Sequence, residues 1–416
     1  MSGGTSVPGA PVGLDTGRAP AALPAAARAA RVVVALGFGA QGLAYGALIT
    51  SLPGFKDRFG IGDDVVTLVV LGVCLMAAVG TVLSERQARG PGSRAVLATG
   101  LASITVAILV VALAPSLPVF LVGFALYGLG LGQVDAGTNM QAVALQREYG
   151  RSILTGFYAA WSVAGILATV YVGQYVSRDV SQQVALPVVA AVVGVIGVLV
   201  LRRAWRAHDA PLEAGAPDPA APDGGGAARA ALPWAAITVL GVAVVAYYVV
   251  DSAAATWSTI YLGDVLDAAD DVAPLGYGVY LATTLVSRLA GDLAVRRWGR
   301  VAVVRTAGLV GAAGLLAVVL APSAAVAIGG LGLTGLGLGV IAPLCFAAAG
   351  SLEPQHADAV VARLNGFNYL GAVLGGVLVG AIGAGSTLRI GYAVPLVLAV
   401  VVVVLAPRFG SRRPAA

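Results

Sequence analysis

A chain of 416 residues that is 58 % hydrophobic and only 11 % charged cannot furnish the wet surface of a soluble globular protein, in which about 25 % of residues are charged. A soluble enzyme is thereby excluded, and the hydrophobic content is that of about twelve membrane-spanning helices of roughly 20 residues each. The formal net charge of +5 does not point to nucleic acid, because the basic residues are arginines (Lys56 apart) scattered in short clusters between apolar runs. Cys74 and Cys345 fall inside apolar runs and His208 and His356 in polar loops, so neither a disulfide framework nor metal-ligand spacing is present.

Residues 1–31 are rich in Ala, Pro and Gly and read as a disordered N-terminal tail. The first apolar run, residues 32–52, is too long for the core of a secretory signal and carries Gln41 and Tyr45, so it reads as the first span. Eleven further spans are expected over residues 65–83, 95–114, 119–142, 153–175, 184–201, 235–262, 277–295, 301–320, 324–350, 360–383 and 390–405. The Pro- and Gly-rich stretch 202–232 reads as a linker between a six-helix bundle, 32–201, and a second one, 233–407, with a short tail at 408–416. With the tails inside, the inner segments hold 20 of the 25 basic residues and the outer segments four: Lys56, Arg58, Arg178 and Arg389. That bias predicts a plasma-membrane protein with both termini in the cytoplasm.

The two halves repeat. Gly128-Leu129-Gly130-Leu131-Gly132 in span four recurs as Gly335-Leu336-Gly337-Leu338-Gly339 in span ten. At the same offset, Glu85, Arg89 and Gly92 after span two match Asp292, Arg296 and Gly299 after span eight. Span five matches span eleven through Gly156-Phe157, Gly165 and Gly173 against Gly366-Phe367, Gly375 and Gly383. Six spans per half bring both halves in from the same side, so the repeat is parallel. This all-α, polytopic plan of two six-helix bundles resembles the major facilitator superfamily, and the acid-x3-Arg-x2-Gly blocks are similar to its cytoplasmic loop motif. Within it, Gly132-x2-Asp135-x3-Asn139, Gly156-Phe157 through Trp161-Ser162 and Asn368-Tyr369-x-Gly371 resemble the MosC/YbjJ-like subgroup, with departures at Tyr158 and at Gly375-Gly376. The resemblance implies alternating-access transport, the halves rocking about a central site.

Depth along each helix sorts the candidates for that site. Gln41 and Tyr45, Trp161 and Ser162 with Tyr158 one turn away, Tyr247 and Tyr248, and Asn368 and Tyr369 are expected near the bilayer midplane. A ring of amides, hydroxyls and aromatic faces suits a small polar, sugar- or inositol-like solute. Span four runs inward, so Asp135, with Asn139 one turn on, is expected about 24 Å from its outer end. There it would pair with Arg86, Arg89 or Arg151 in a cytoplasmic gate. Asp251 is expected nearer the outer side with few arginines at its depth. Because an apolar setting disfavours the charged form of a carboxylate, it is the better proton site of the two. Arg288 could bind an anionic substrate, but its spacing favours an i,i+4 pair with Asp292 and a place in the gate motif. Trp257 and Tyr261 read as interfacial anchors.

The reading is a secondary transporter that needs no cofactor or metal and draws on the proton gradient. Its expected partners are a small-molecule substrate and the lipid bilayer, with no nucleic acid, and a monomer suffices. An exporter exchanging a hydrophobic drug or natural product for protons is the main alternative, although span five lacks the Gly-Pro element of such antiporters. A non-transporting membrane sensor is a third.

Overall fold

The computed structural model describes residues 25–205, 233–269, 272–385 and 387–410, among which all regular structure is helical. The greater part of the expected N-terminal tail, residues 206–232 of the expected linker with His208, Asp270 and Asp271, and the last six residues lie outside these. Twelve long helices run in chain order. In the first half they are α1 (Ala25–Thr50), α2 (Asp63–Ala88), α3 (Gly92–Leu113), α4 (Leu117–Tyr149), α5 (Leu154–Val176) and α6 (Gln182–Arg203). In the second they are α7 (Trp234–Ile260, continued by a π-helical turn Tyr261–Val265), α8 (Leu275–Trp298), α9 (Arg300–Val319), α10 (Ala324–Ala349), α11 (Ala357–Gly385) and α12 (Leu388–Phe409). A short helix, Leu52–Phe59, follows α1.

Eleven of the twelve are long and apolar enough to cross a membrane. The other, α8, has 24 residues, and Arg288, Asp292, Arg296 and Arg297 lower its hydropathy. It is nevertheless packed between α10 of its own half and α5 of the other. Two boundaries differ from expectation by about two turns. Helix α1 begins at Ala25, so residues 25–31 belong to the first helix and not to the tail. Helix α4 runs on to Tyr149, where Gly150 takes a left-handed conformation (φ 60°) and stops it. Polar Gln146, Arg147 and Glu148 lie beyond the apolar run, but their helix propensity carries the helix through them.

The halves are built alike. In the first, α1 packs on α5 and α6, α3 on α4 and α6, and α2 on α4; in the second, α7 packs on α11 and α12, α9 on α10 and α12, and α8 on α10. The repeated Gly-Leu-Gly-Leu-Gly run explains part of this. A Cβ on Gly128 would meet the carbonyl oxygen of Val73 in α2 at 2.6 Å, and one on Gly130 the carbonyl of Gly100 in α3 at 3.0 Å. In the second half a Cβ on Gly339 would meet the Thr284 carbonyl in α8 at 3.0 Å, and one on Gly337 the Ala307 carbonyl in α9 at 2.6 Å. The outer glycines thus admit one neighbour and the middle glycine the other, as small residues do where membrane helices approach closely. Gly92 (φ 82°) and Gly299 (φ 79°), matched in the loop motif, both occupy the left-handed region that favours glycine.

The halves meet mainly through α2 against α11 and α5 against α8. At the arginine-rich end, Met140, Val143, Leu145, Ile153, Leu154 and Phe157 of the first half join the apolar core of the second. Gly350, at the end of α10, packs on Val143. That end is shut.

Candidate functional site

The interface between the halves is polar at mid-depth. Asp135 lies close to the midpoint of α4, because that helix is about two and a half turns longer than its apolar run, most of the excess at the end beyond Asp135. Its carboxylate accepts hydrogen bonds from the Gln41 amide of α1 and the Tyr369 hydroxyl of α11. One turn along α4, Asn139 donates to the Asp135 carbonyl at 2.9 Å and accepts from the Tyr158 hydroxyl of α5 at 2.9 Å. One carboxylate therefore ties three helices drawn from both halves. This corrects the expectation for Asp135: it sits with the midplane residues, and not against Arg86, Arg89 or Arg151.

Arg288 forms the second centre. It is buried, and its terminal nitrogens donate to Ser162 Oγ of α5 at 2.6 Å and to the Tyr247 hydroxyl of α7 at 2.7 Å. Its Nε reaches the Gly339 carbonyl at 3.3 Å, and the guanidinium lies over the rings of Tyr158 (5.6 Å) and Trp161 (5.9 Å). Tyr247 in turn donates to Asp251 at 3.4 Å, and Tyr280 of α8 donates to the same carboxylate oxygen at 2.8 Å. The expected i,i+4 pair with Asp292 is not made, so Arg288 belongs to the centre and not to the gate motif. The ranking of the two acids also loses its basis. Asp251 has an arginine one tyrosine away, whereas the direct partners of the Asp135 carboxylate are both neutral.

Most of the remaining candidates surround these two centres. Tyr45 stacks obliquely on Trp161 with ring centroids 5.8 Å apart, and Tyr248 meets Tyr247 edge-on at 5.1 Å. Asp135, Trp161, Ser162, Tyr248 and Asp251 all lie within long helices yet keep part of their surface accessible. Tyr45, one turn beyond Gln41, is 41 % exposed. Their bonding partners lie across the interface or beside it, so this exposure is to space between the halves. The hydrogen bonds that cross between halves lie at this depth or toward the arginine-rich end. Those near the other end, such as Gln182 to Ser51 and Arg389 to Val319, stay within one half. The site faces that other end.

Asn368 is the exception among the midplane residues. Its amide donates to Asn365 at 2.9 Å, and Asn365 donates to Thr81 of α2 at 3.1 Å, so it belongs to a cross-half chain leading toward the arginine-rich end. The loop motifs close that end in two ways. Glu85 accepts from Arg89 at 2.6 Å and from Arg363 of α11 at 3.0 Å, and Arg363 also lies over the ring of Trp234. Asp292, its repeat partner, accepts from Ser152 Oγ (2.7 Å) and from the backbone N–H groups of Thr155 (3.2 Å) and Gly156 (2.9 Å). These are free donors at the start of α5, where a carboxylate is favoured by the helix dipole. Arg296 is exposed, and Gly92 and Gly299 form the turns beside their motifs. Tyr261 is not an anchor in the interface with lipid headgroups, because it is fully buried, and the partly exposed Trp257 is tied to α11. The Trp257 indole donates to the Gly376 carbonyl at 2.9 Å, and Tyr261, fully buried, donates to the Val318 carbonyl at 2.8 Å.

Sequence reasoning overlooked Tyr280, Thr81, Asn365, Ser152 and the cross-half role of Arg363. Tyr280 had a usable signal, since Tyr280, Thr284 and Arg288 recur every four residues on one face of α8. Thr81 and Asn365 lie inside expected spans as single polar residues, and Ser152 and Arg363 stand near helix starts, so what was missing was the partner in the other half.

Two similar six-helix halves, closed at one end and lined between them by buried acids, an arginine and tyrosines, define a two-lobed membrane transporter. A family model described as the Major Facilitator Superfamily matches residues 34–328, and the chain belongs to that superfamily. It is 26 % identical over 380 residues to an uncharacterised transporter, y4wD, of Sinorhizobium fredii, covering 90 % of this chain and 96 % of the relative. It is 26 % identical over 377 residues to the membrane protein MosC of Rhizobium meliloti, covering 89 % and 87 %. Among solved structures it is similar in fold to the major facilitator transporter FucP in its outward conformation (TM-score 0.76, 15 % identity, 91 % and 98 % covered). It is also similar to the human organic anion transporter MFSD10 (TM-score 0.72, 16 % identity, 91 % and 99 % covered). The protein is thus a multi-pass membrane transporter with a small-molecule substrate, and not an enzyme.

Proposed function

We propose that this protein is a proton-coupled secondary transporter that moves a small polar, hydroxyl-bearing solute of the sugar or inositol kind by alternating access. The observation that carries the reading is the carboxylate of Asp135, shared by Gln41 and Tyr369 across the two halves. An ionised carboxylate only accepts hydrogen bonds, whereas a protonated one also donates. Taking up a proton at Asp135 therefore places a donor on one of the two oxygens and changes what the partner of that oxygen can do, and one of the two partners belongs to the opposite half. Proton binding and the contact between halves are linked at a single atom group.

Asp135 is the proton site in this reading, and Asp251 is the fixed counter-charge of Arg288 through Tyr247. The arginine-rich end is cytoplasmic, in keeping with the distribution of basic residues, in a bacterial plasma membrane like that of the named relatives. The arrangement described is then outward-facing. Similarity in fold to FucP, a fucose:proton symporter, supports the solute class by analogy of fold only.

The test is uptake into proteoliposomes containing the purified protein, with an inward proton gradient imposed. Gradient-driven accumulation of a hydroxyl-bearing solute, abolished by Asp135→Asn, is the expected result. Gradient-driven uptake unaffected by Asp135→Asn would remove Asp135 from the coupling. Proton-driven expulsion of lipophilic compounds would favour the exporter instead.

A further inference from the structure

Arg288 is 6 % exposed, and the atoms it donates to are all neutral oxygens: Ser162 Oγ, the Tyr247 hydroxyl and the Gly339 carbonyl. A guanidinium has five N–H donors, so these three bonds leave one free on each terminal nitrogen. A cation taken this far from water is costly unless an anion stands against it. Asp251 compensates it only through the Tyr247 hydroxyl, across a 3.4 Å bond, and is itself held by Tyr280. Asp135 is further removed, behind Asn139 and Tyr158. Meanwhile Tyr158 and Trp161 hold the guanidinium against their rings at 5.6 and 5.9 Å, beside the space between the halves. The paired terminal N–H groups form the fork that a carboxylate fits with two parallel bonds.

We propose that the transported solute carries a carboxylate that binds the terminal nitrogens of Arg288, which makes the substrate class a hydroxyl-bearing organic monoanion such as an aldonate or uronate. This rests on the transporter reading above and names the substrate of the same site. Ser162, the present partner of Nη1, lies on α5 in the opposite half, so an anion seated on the free N–H groups would sit beside a bond that spans the interface. The two solute classes also differ in the charge moved. Over a complete cycle a proton on Asp135 with a monoanion on Arg288 carries no net charge, whereas a proton with a neutral sugar carries one, so net uptake of an acid would not respond to the membrane potential.

The experiment uses the purified full-length protein in proteoliposomes with an imposed pH gradient, and D-gluconate, D-galacturonate, D-sorbitol and myo-inositol as probes. Uptake of an acid is expected, changing less than twofold when a potassium diffusion potential is set with valinomycin. Thermal stabilisation of the wild-type protein by the acids, and not by sorbitol or inositol, is expected in parallel and needs no variant. Arg288→Lys, which keeps the charge but not the fork, should weaken the apparent affinity for the acid at least tenfold. Uptake of sorbitol or inositol that equals the acids and rises with the potential overturns the proposal, while leaving proton-coupled transport standing. So does an acid affinity unchanged in Arg288→Lys. Failure of all four probes to move or to stabilise the protein overturns the proposal, and absence of any proton-driven flux removes the transporter reading with it.

Discussion

Tyr369 on α11 donates its hydroxyl proton to the carboxylate of Asp135 on α4, 234 residues away, and this bond passes from one half of the molecule to the other. The Gln41 amide holds the second oxygen of the same carboxylate. Two helices of one half, α1 and α4, are therefore joined to α11 of the other at one group whose bonding capacity depends on its proton.

Asp135→Asn, which imitates the protonated acid in shape and charge, should lower net proton-driven uptake at least 100-fold. Solute exchange across the membrane should persist and lose its pH dependence. Asp251→Asn should keep that pH dependence and lower solute affinity, because it strips Arg288 of its counter-charge. Counterflow and net uptake in proteoliposomes over a range of pH separate the two.

Tyr369→Phe removes one donor to a carboxylate, a bond of about 1.5–3 kcal/mol when the acceptor is charged. The equilibrium should move at least about tenfold toward the state in which α4 and α11 are apart. Pulsed electron-electron distances between spin labels at the arginine-rich ends of α2 and α11 would lengthen in the variant. Unchanged distance distributions would show that the bond does not hold the halves.

Asp292→Ala should free the start of α5. The Thr155 and Gly156 amides lose their carboxylate acceptor, at about 1–3 kcal/mol for groups left unpaired. Hydrogen exchange over residues 152–158 should accelerate roughly tenfold or more, with little change at the distant end of α5.

Gly128→Val should destabilise the first half by about 1–3 kcal/mol through overpacking, since even a Cβ there would come within 2.6 Å of the Val73 carbonyl. Gly173→Val, on α5 where a Cβ meets nothing within 4 Å, is the control and should melt like the wild type. Thermal unfolding in detergent checks both.

Much of the architecture could be read directly from the residues. The apolar runs, the recurrence of Gly128–Gly132 at 335–339 and the left-handed glycines of the loop motifs each have a local cause, so a one-dimensional reading finds them. The centre was legible as a set of residues and not as a set of partners. Arg288 and Asp292 are four apart and look paired, yet each has a better partner in α5, with Ser162 and the amides at its start. Asp135 was misplaced because α4 extends past its apolar run to Tyr149, which moves the helix midpoint toward the acid.

The sequence by itself determined that this is a membrane protein of two parallel six-helix halves and which few polar side chains their spans must accommodate. Burial in lipid and hydrogen bonding within each helix act over a few residues, and composition and period record them. Only the tertiary structure decided that Asp135 meets Tyr369 and that Arg288 meets Ser162. Those pairings depend on how far each helix is rotated and shifted against its neighbours, and that is settled jointly by every packed interface in both halves.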